Sequence, residues 1–429
     1  MKLFLGRLFL ALLAVTAAFG PAQAQLRGHG GPVRAVAVSA DGKIAISGSF
    51  DTSAIRWSLT HNAAEQVLRF HDSAVNAVAF LPDGRTVTAG KDGRIAIWRP
   101  GVQHPDRVLT GHTGPIVAVA VSPDGEMIAS ASWDRTVRLW PLDGRRPRVL
   151  RGHQDNANGV AFTPNGRALV SAGYDATVRI WPLADSGEPT VTTLPSTLNS
   201  VAVARDGEII AGASNGTVYF VSPQGKRRGK VEVGHTAIIS VAVSPDGKLV
   251  AAAGVRGSVA IIERASRAIA RTLVGPGLPV WSAAFLPDNR TLITGGTDRL
   301  VRRWNALTGD HIGSAVLAGI DDPLKRYAGD RGAEVFRACV ACHTLSLNEG
   351  NRAGPTLHGV MGRRIATLPG YRYSAALTKM DIIWSPETIS KLFEVGPLVY
   401  TPGTKMPNQT IGSAADRKAL VQFLAKATK

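Results

Sequence analysis

The chain has 429 residues, 45% of them hydrophobic, and carries 49 lysines and arginines against 32 aspartates and glutamates. That length exceeds what one hydrophobic core organises, so at least two domains are expected. The surplus, 49 − 32 = +17, favours acidic partners or anionic surfaces. Nucleic acid is disfavoured as a partner because the basic residues are scattered rather than clustered, and no later stretch approaches the roughly 20 apolar residues of a membrane-spanning helix.

Lys2 and Arg7 precede the apolar run Leu8 to Phe19, which is followed by Pro21-Ala22-Gln23-Ala24. This order of a basic start, a short apolar run and an A-x-A end predicts a secretory signal over 1–24. A mature chain beginning near Gln25 would be exported, and a bacterial periplasm is the expected location. Without Lys2 and Arg7 the net charge is +15.

From Gly28-His29 onward the sequence repeats. Trp57, Trp98, Trp140, Trp181 and Trp304 each close a short β-like run, at spacings of 41, 42, 41 and 123 residues, the last being three periods. Two degenerate units fill the long gap, with Tyr219-Phe220-Val221 and Ala260-Ile261-Ile262 where the closing tryptophan is expected. Each unit reads as strand, Ser-Pro-Asp-Gly-type turn, strand, Asp-containing turn, strand. One unit cannot bury both faces of its small sheet, so neighbours must stack around an axis. The pattern resembles the WD-repeat family, which implies an all-β seven-bladed propeller over 25–317. Either the segment Leu26 to His29 or the segment His311 to Leu317 can supply the outer strand of the last blade, and the N-terminal one is favoured.

The same resemblance implies a hydrogen-bonded set inside each blade: His29, Ser47, Asp51, Trp57; His71, Thr88, Asp92, Trp98; His112, Ser130, Asp134, Trp140; and His153, Ser171, Asp175, Trp181. A hydrolytic triad is a poor reading of these residues, because a constellation that recurs in every blade and accepts Thr for Ser satisfies buried polar groups instead. Later units depart from the pattern. Leu194-Pro195 and Asn215 stand in repeat five, Arg256 at the Asp position of repeat six, and Gly275-Pro276 without a histidine in repeat seven.

A connector over 318–326 ends the repeats. Cys339-Val340-Ala341-Cys342-His343 then holds the only two cysteines. A C-x-x-C-H run reads as a c-type haem attachment site: two thiols one helical turn apart add to the vinyl groups, and the adjacent imidazole reaches the iron. A zinc site would want more Cys or His nearby, and a redox pair would open a helix in a βαβ unit.

From 327 to 429 the ordered pieces Gly354-Pro355-Thr356-Leu357-His358-Gly359, Pro369-Gly370-Tyr371-Arg372-Tyr373-Ser374, Trp384, Pro402-Gly403-Thr404-Lys405-Met406 and the closing stretch Ala415 to Thr428 resemble a class I cytochrome c. The resemblance implies a small all-α domain with one covalent haem c on Cys339 and Cys342. It implies His343 and Met406 as axial ligands, with Met361, Met380 and His358 as competitors. It places Pro355 at the carbonyl that fixes the proximal ring, and Arg363, Tyr373, Trp384 and Thr404 at the propionates. Gly332 and Phe336 would pack on Leu420 and Phe423, and Phe393 stands where relatives often carry Tyr. Residues 322–429 hold 15 basic and 8 acidic side chains, 15 − 8 = +7, and Lys405 and Arg337 are placed to ring a haem edge facing an acidic partner. With both axial positions filled, an electron carrier docking protein redox partners is expected rather than an enzyme. A propeller oxidoreductase with a second cofactor and a redox-sensing scaffold are the alternatives.

Overall fold

A computed structural model of the chain describes residues 25–184, 187–275, 277–312, 324–336, 339, 343–347, 354–369, 371, 373, 374, 376–402, 404, 406, 411 and 413–429. The expected signal over 1–24, residues 318–323 of the connector, Cys342, Arg337 and Lys405 lie outside the described residues.

Between Leu26 and Asn305, 28 strands form seven antiparallel sheets of four. In the first blade the order from inside to outside is Val33–Val38, Ile44–Ser49, Ser53–Ser58 and Ala63–Arg69. The two middle strands are buried almost throughout, while the outer one exposes most of its residues. Middle strands are covered by the neighbouring blades on both faces, which is why they run as small and β-branched residues. The hairpin between the first two strands is set by its turn chemistry. The Ser39 hydroxyl donates to Asp41 at 2.6 Å, Asp41 accepts the Lys43 amide at 3.0 Å, and Gly42 takes φ +70°.

Every inner strand carries a β-bulge at its second residue; the bulged residues include Arg34, Asn76, Asn158, Asn199 and Trp281. Three of these bridge to the next blade: Asn76 donates to the Ile116 carbonyl at 2.9 Å, Asn158 to Leu198 at 3.0 Å and Asn199 to Ile238 at 2.9 Å. The bulges therefore aim polar side chains around the axis at one end of the channel. The N-terminal strand closes the ring: Leu26 pairs with Val301 and Arg27 with Leu300 in the last blade. His311 makes an isolated bridge to Trp304, and residues 313–317 of the alternative closing segment lie outside the described residues.

The four complete hydrogen-bonded sets are present. In the first blade His29 Nδ1 meets Asp51 at 3.0 Å, His29 Nε2 meets Ser47 Oγ at 2.7 Å, and Trp57 Nε1 donates to the same hydroxyl at 2.7 Å. The sets of His71, His112 and His153 repeat this arrangement. Burial alone would raise the Asp51 and Asp92 carboxyls, but the hydrogen bonds and charge of His29 and His71 outweigh it and bring both to about 2. Asp134 and Asp175 are likewise held well below the usual range against their own burial, by His112 and His153. The unfolded chain takes up these protons near pH ~4, whereas the folded chain does so only well below that. The stabilisation is therefore complete above about pH 4 and lost as pH falls towards 2. The urea midpoint of the propeller is expected to fall steeply between those limits, and Asp51→Asn should flatten that slope. A slope unchanged by the substitution would contradict the assignment.

The later blades replace the set rather than complete it. Register puts Val221 and Ile262, both fully buried, at the tryptophan position of the fifth and sixth blades. In the seventh, Arg302 on the third strand donates to Asp298 at 2.6 Å and so supplies the cation that the missing histidine does not.

The described C-terminal region is helical. Helices α1 (Arg331–Phe336), α2 (Pro386–Val395), α3 (Pro397–Tyr400) and α4 (Ala414–Ala427) surround one core that includes Phe336, Leu392, Phe393, Leu420 and Phe423. Ser385 and Thr388 form a capping box that starts α2, and Ser413 caps α4 by accepting the Asp416 amide at 3.2 Å. Where α1 crosses α4, a side chain at Gly332 would run into the Ala419 carbonyl and Phe423, so only glycine permits this approach. Phe336 and Phe423 stack at 5.6 Å, and Tyr327 meets Phe423 edge-on at 5.0 Å. Arg331 binds Asp416 at 2.9 Å across the same crossing.

Candidate functional site

Cys339 is buried in the helical core, and its carbonyl accepts the His343 amide at 2.9 Å, one helical turn on. That bond joins residues four apart, the spacing of an α-helical hydrogen bond. His343 Nδ1 lies 2.8 Å from the carbonyl of Pro355. A carbonyl can only accept, so Nδ1 carries the proton and Nε2 the lone pair. That is the tautomer a metal-binding imidazole needs, with the ring fixed from behind. Gly354 lies against the ring face: a Cβ there would come within 2.7 Å of His343 Nδ1 and 2.8 Å of Nε2.

Arg363 donates to the carbonyls of Thr356, at 3.0 Å, and His358, at 2.9 Å, and so ties down the loop that follows Pro355. Burial lowers its pKa from the ordinary arginine value, and the neighbouring Tyr373 acts the other way. Tyr373 is raised by its own burial, against the pull of Arg363. Trp384 is brought to Arg363 by backbone pairing, its amide donating to the Arg363 carbonyl at 3.0 Å. Arg363, Tyr373 and Trp384 therefore gather on one side of the domain. The Thr404 hydroxyl accepts the Met406 amide at 3.2 Å. Met406 and Met361 both pack against the helical core, as does Trp384, whereas Met380 is not among the residues packed there. Phe393 is buried in the same core, and its carbonyl accepts the Ile411 amide at 2.8 Å.

One residue adds to the set that sequence reasoning singled out. Ser374 Oγ, next to Tyr373, is buried with no hydrogen-bond partner. A buried hydroxyl left unpaired is costly, and an anionic acceptor beside Tyr373 would satisfy it. A haem carboxylate has that chemistry. The residues present therefore fit haem on three counts: an imidazole in the metal-binding tautomer, a glycine that clears its face, and an orphaned donor beside a half-buried tyrosine. Among the described residues no cluster of three or more His, Cys, Asp or Glu could hold a separate metal ion, and no helix is long and apolar enough to cross a membrane.

Comparison with known proteins divides the chain in the same way. The family model "WD domain, G-beta repeat" matches residues 20–58, 63–99, 103–141, 144–182, 227–262 and 268–305. Six matches against seven blades leave one blade unaccounted for, the one with Leu194-Pro195 and Asn215 in place of the usual histidine and aspartate. The family model "Cytochrome c" matches residues 329–428. Cytochrome c of Cochliobolus lunatus is 40% identical over 100 residues, 23% of this chain and 92% of the relative. Cytochrome c of Arabidopsis thaliana is 40% identical over 100 residues, 23% of this chain and 88% of the relative. Cytochrome c of Kluyveromyces lactis is 36% identical over 108 residues, 25% of this chain and 97% of the relative.

Proposed function

We propose that this chain, which belongs to the WD-repeat family and through its C-terminal region to the cytochrome c family, is an exported electron carrier whose propeller docks its redox partners. Membership of the cytochrome c family implies one covalently attached haem c. When bound, that haem supplies a one-electron iron couple. The observation that carries the proposal is the His343 to Pro355 hydrogen bond of 2.8 Å, which commits Nδ1 and presents Nε2 as a ligand atom.

In this reading Cys339 and Cys342 would hold the haem covalently, and His343 and Met406 would be its iron ligands. An imidazole and a thioether as iron ligands would favour the ferrous state and suit electron transfer. Tyr373, Ser374, Trp384 and Thr404 would donate to the propionates, and Arg363 would compensate their charge while holding the 356–358 loop. Lys405 and Arg337, by their sequence positions beside the ligand and attachment residues, would give a positive rim that steers an acidic partner. The segment 1–24 directs the chain to the periplasm, where c-type haem is attached.

A reduced-minus-oxidised spectrum of periplasmic extract tests the carrier role, and the absence of a c-type band in the purified protein would end it. Affinity capture from the same extract, followed by cross-linking and stopped-flow reduction, tests the docking role. Cross-links confined to residues 324–429 would remove the propeller from partner binding.

Gly354→Ala is expected to push the His343 ring off its hydrogen bond. The added methyl meets the ring at sub-contact distance, so the holoprotein should lose about 2 kcal/mol of stability. Thermal melts read the loss, and low-spin absorbance reads the displaced ligand. A variant with wild-type melting and spectrum would show that the loop yields without disturbing the ring.

A further inference from the structure

The end of a helix presents carbonyls that have no partner within it, and a group from elsewhere must take them up. At the end of α4 that group belongs to the loop behind the His343 ring. The Thr428 carbonyl accepts the Gly359 amide at 2.6 Å. Gly359 closes the same loop that begins at Pro355, whose carbonyl holds His343 Nδ1 at 2.8 Å. Thr428 is itself fixed. It is 2% exposed, and both its amide, at 3.1 Å, and its hydroxyl, at 2.7 Å, donate to the Leu424 carbonyl one turn back. Leu424 lies in the helical core with Phe336, Leu420 and Phe423.

The loop between Pro355 and Val360 is short and tied along its length. The Leu357 amide donates to the Thr344 carbonyl at 2.9 Å, and Arg363 holds the carbonyls of Thr356 and His358. The buried Val360 turns the chain, its amide donating to the Leu357 carbonyl at 2.9 Å. Gly359 takes φ +63° in that turn, and its amide goes to α4 rather than back into the loop. The ties to Thr344 and Arg363 stay within the segment 344–363. Thr428 fixes that segment to the helix that packs on α1 through Phe423 and Gly332.

A hydrogen bond from the far nitrogen of a metal-binding imidazole makes the ring a stronger donor to the metal, and the bond weakens as its acceptor moves off line. Whatever holds the Pro355 carbonyl in place therefore acts on His343. We propose that Thr428 is a positioning residue for the iron ligand: its carbonyl latches the Pro355–Gly359 loop, keeps the Pro355 carbonyl on the His343 ring and so sets how strongly that ring donates to iron. The proposal rests on the haem reading and adds to it a residue outside both the attachment run and the Met406 loop.

The holoprotein shortened to end at Ala427 loses this carbonyl, and Thr428→Gly loosens it should the shortened chain fold poorly. In either variant the Gly359 amide is expected to exchange about tenfold faster or more, read by hydrogen exchange with mass spectrometry. With the ring a weaker donor, ferric iron is less stabilised. At a fixed ambient potential the ferrous-to-ferric ratio should rise about tenfold, which is about 59 mV in the midpoint of a one-electron couple. The upward direction is diagnostic, because a domain that had merely loosened would shed Met406, lower the midpoint and lose the sulfur-to-iron band. Thr428→Ser keeps a hydroxyl for Leu424 and should restore wild-type exchange and midpoint. Fast Gly359 exchange with an unchanged midpoint, or a midpoint that falls, overturns the positioning role. Wild-type protein without a c-type band would instead sink the haem reading, a failure visible before any variant is made.

Discussion

Met406→Ala is expected to leave the haem attached and the helical region folded, yet to change the iron's ligand field and lower the midpoint potential. The side chain is only partly buried, so truncation removes limited packing. As an iron ligand the thioether would favour the ferrous state, and replacing it by water or a foreign nitrogen should cost on the order of 0.2 V, a fraction of the ~0.8 V that such ligands span. Spectroelectrochemistry reads the shift, and the ferric protein should lose its sulfur-to-iron band. Met361→Leu is the decisive control, because Met361 packs against the same core. Should Met361→Leu move the potential while Met406→Ala does not, the ligand is Met361 and the assignment made from the Pro402 to Met406 loop is wrong.

How far the sequence carries the fold can be judged residue by residue. The period of the closing tryptophans and the Gly-His openings were enough for a propeller, because every blade solves the same burial problem with the same side chains. The fifth blade forms without them: Val221 fills the tryptophan position, and Leu194-Pro195 stands where Gly-His opens other blades, with Leu194 buried. Stacking between neighbours dictates the sheet there, and stacking asks only for apolar volume. Arg302 was invisible as a substitute for the missing seventh histidine. It comes from the third strand, two positions before the tryptophan and four after Asp298, which it binds at 2.6 Å. In the helical region the attachment run is a local motif and reads directly. The contact of Gly354 with the His343 ring and the orphaned hydroxyl of Ser374 are products of chain reversal, which no spacing encodes. Arg363 was read only as a propionate partner, yet its guanidinium binds two carbonyls of its own loop.

The largest loss of stability is expected from the shortest element. Deleting residues 26–31 removes the outer strand of the last blade and, with the same stroke, the histidine of the first. Leu26 is 1% exposed and packs with Ile55, Trp57 and Val301, so it joins both blades across the seam. Gly28 lies under the Trp57 ring, where a Cβ would meet it at 2.9 Å. His29 binds Asp51 at 3.0 Å and Ser47 at 2.7 Å. Losing Leu26 alone costs about 2–5 kcal/mol, the usual price of a buried leucine. Losing His29 leaves the buried Asp51 carboxylate uncompensated, which costs about 3–5 kcal/mol. Because the two residues share the seam, Leu26→Ala and His29→Ala should couple rather than add. Hydrogen exchange should quicken first in Leu300–Asn305, the strand left without its partner, and only then in the blades that follow it around the ring. If the deletion melted with the wild-type midpoint, or if exchange rose evenly over all blades, the ring would not be held at this seam.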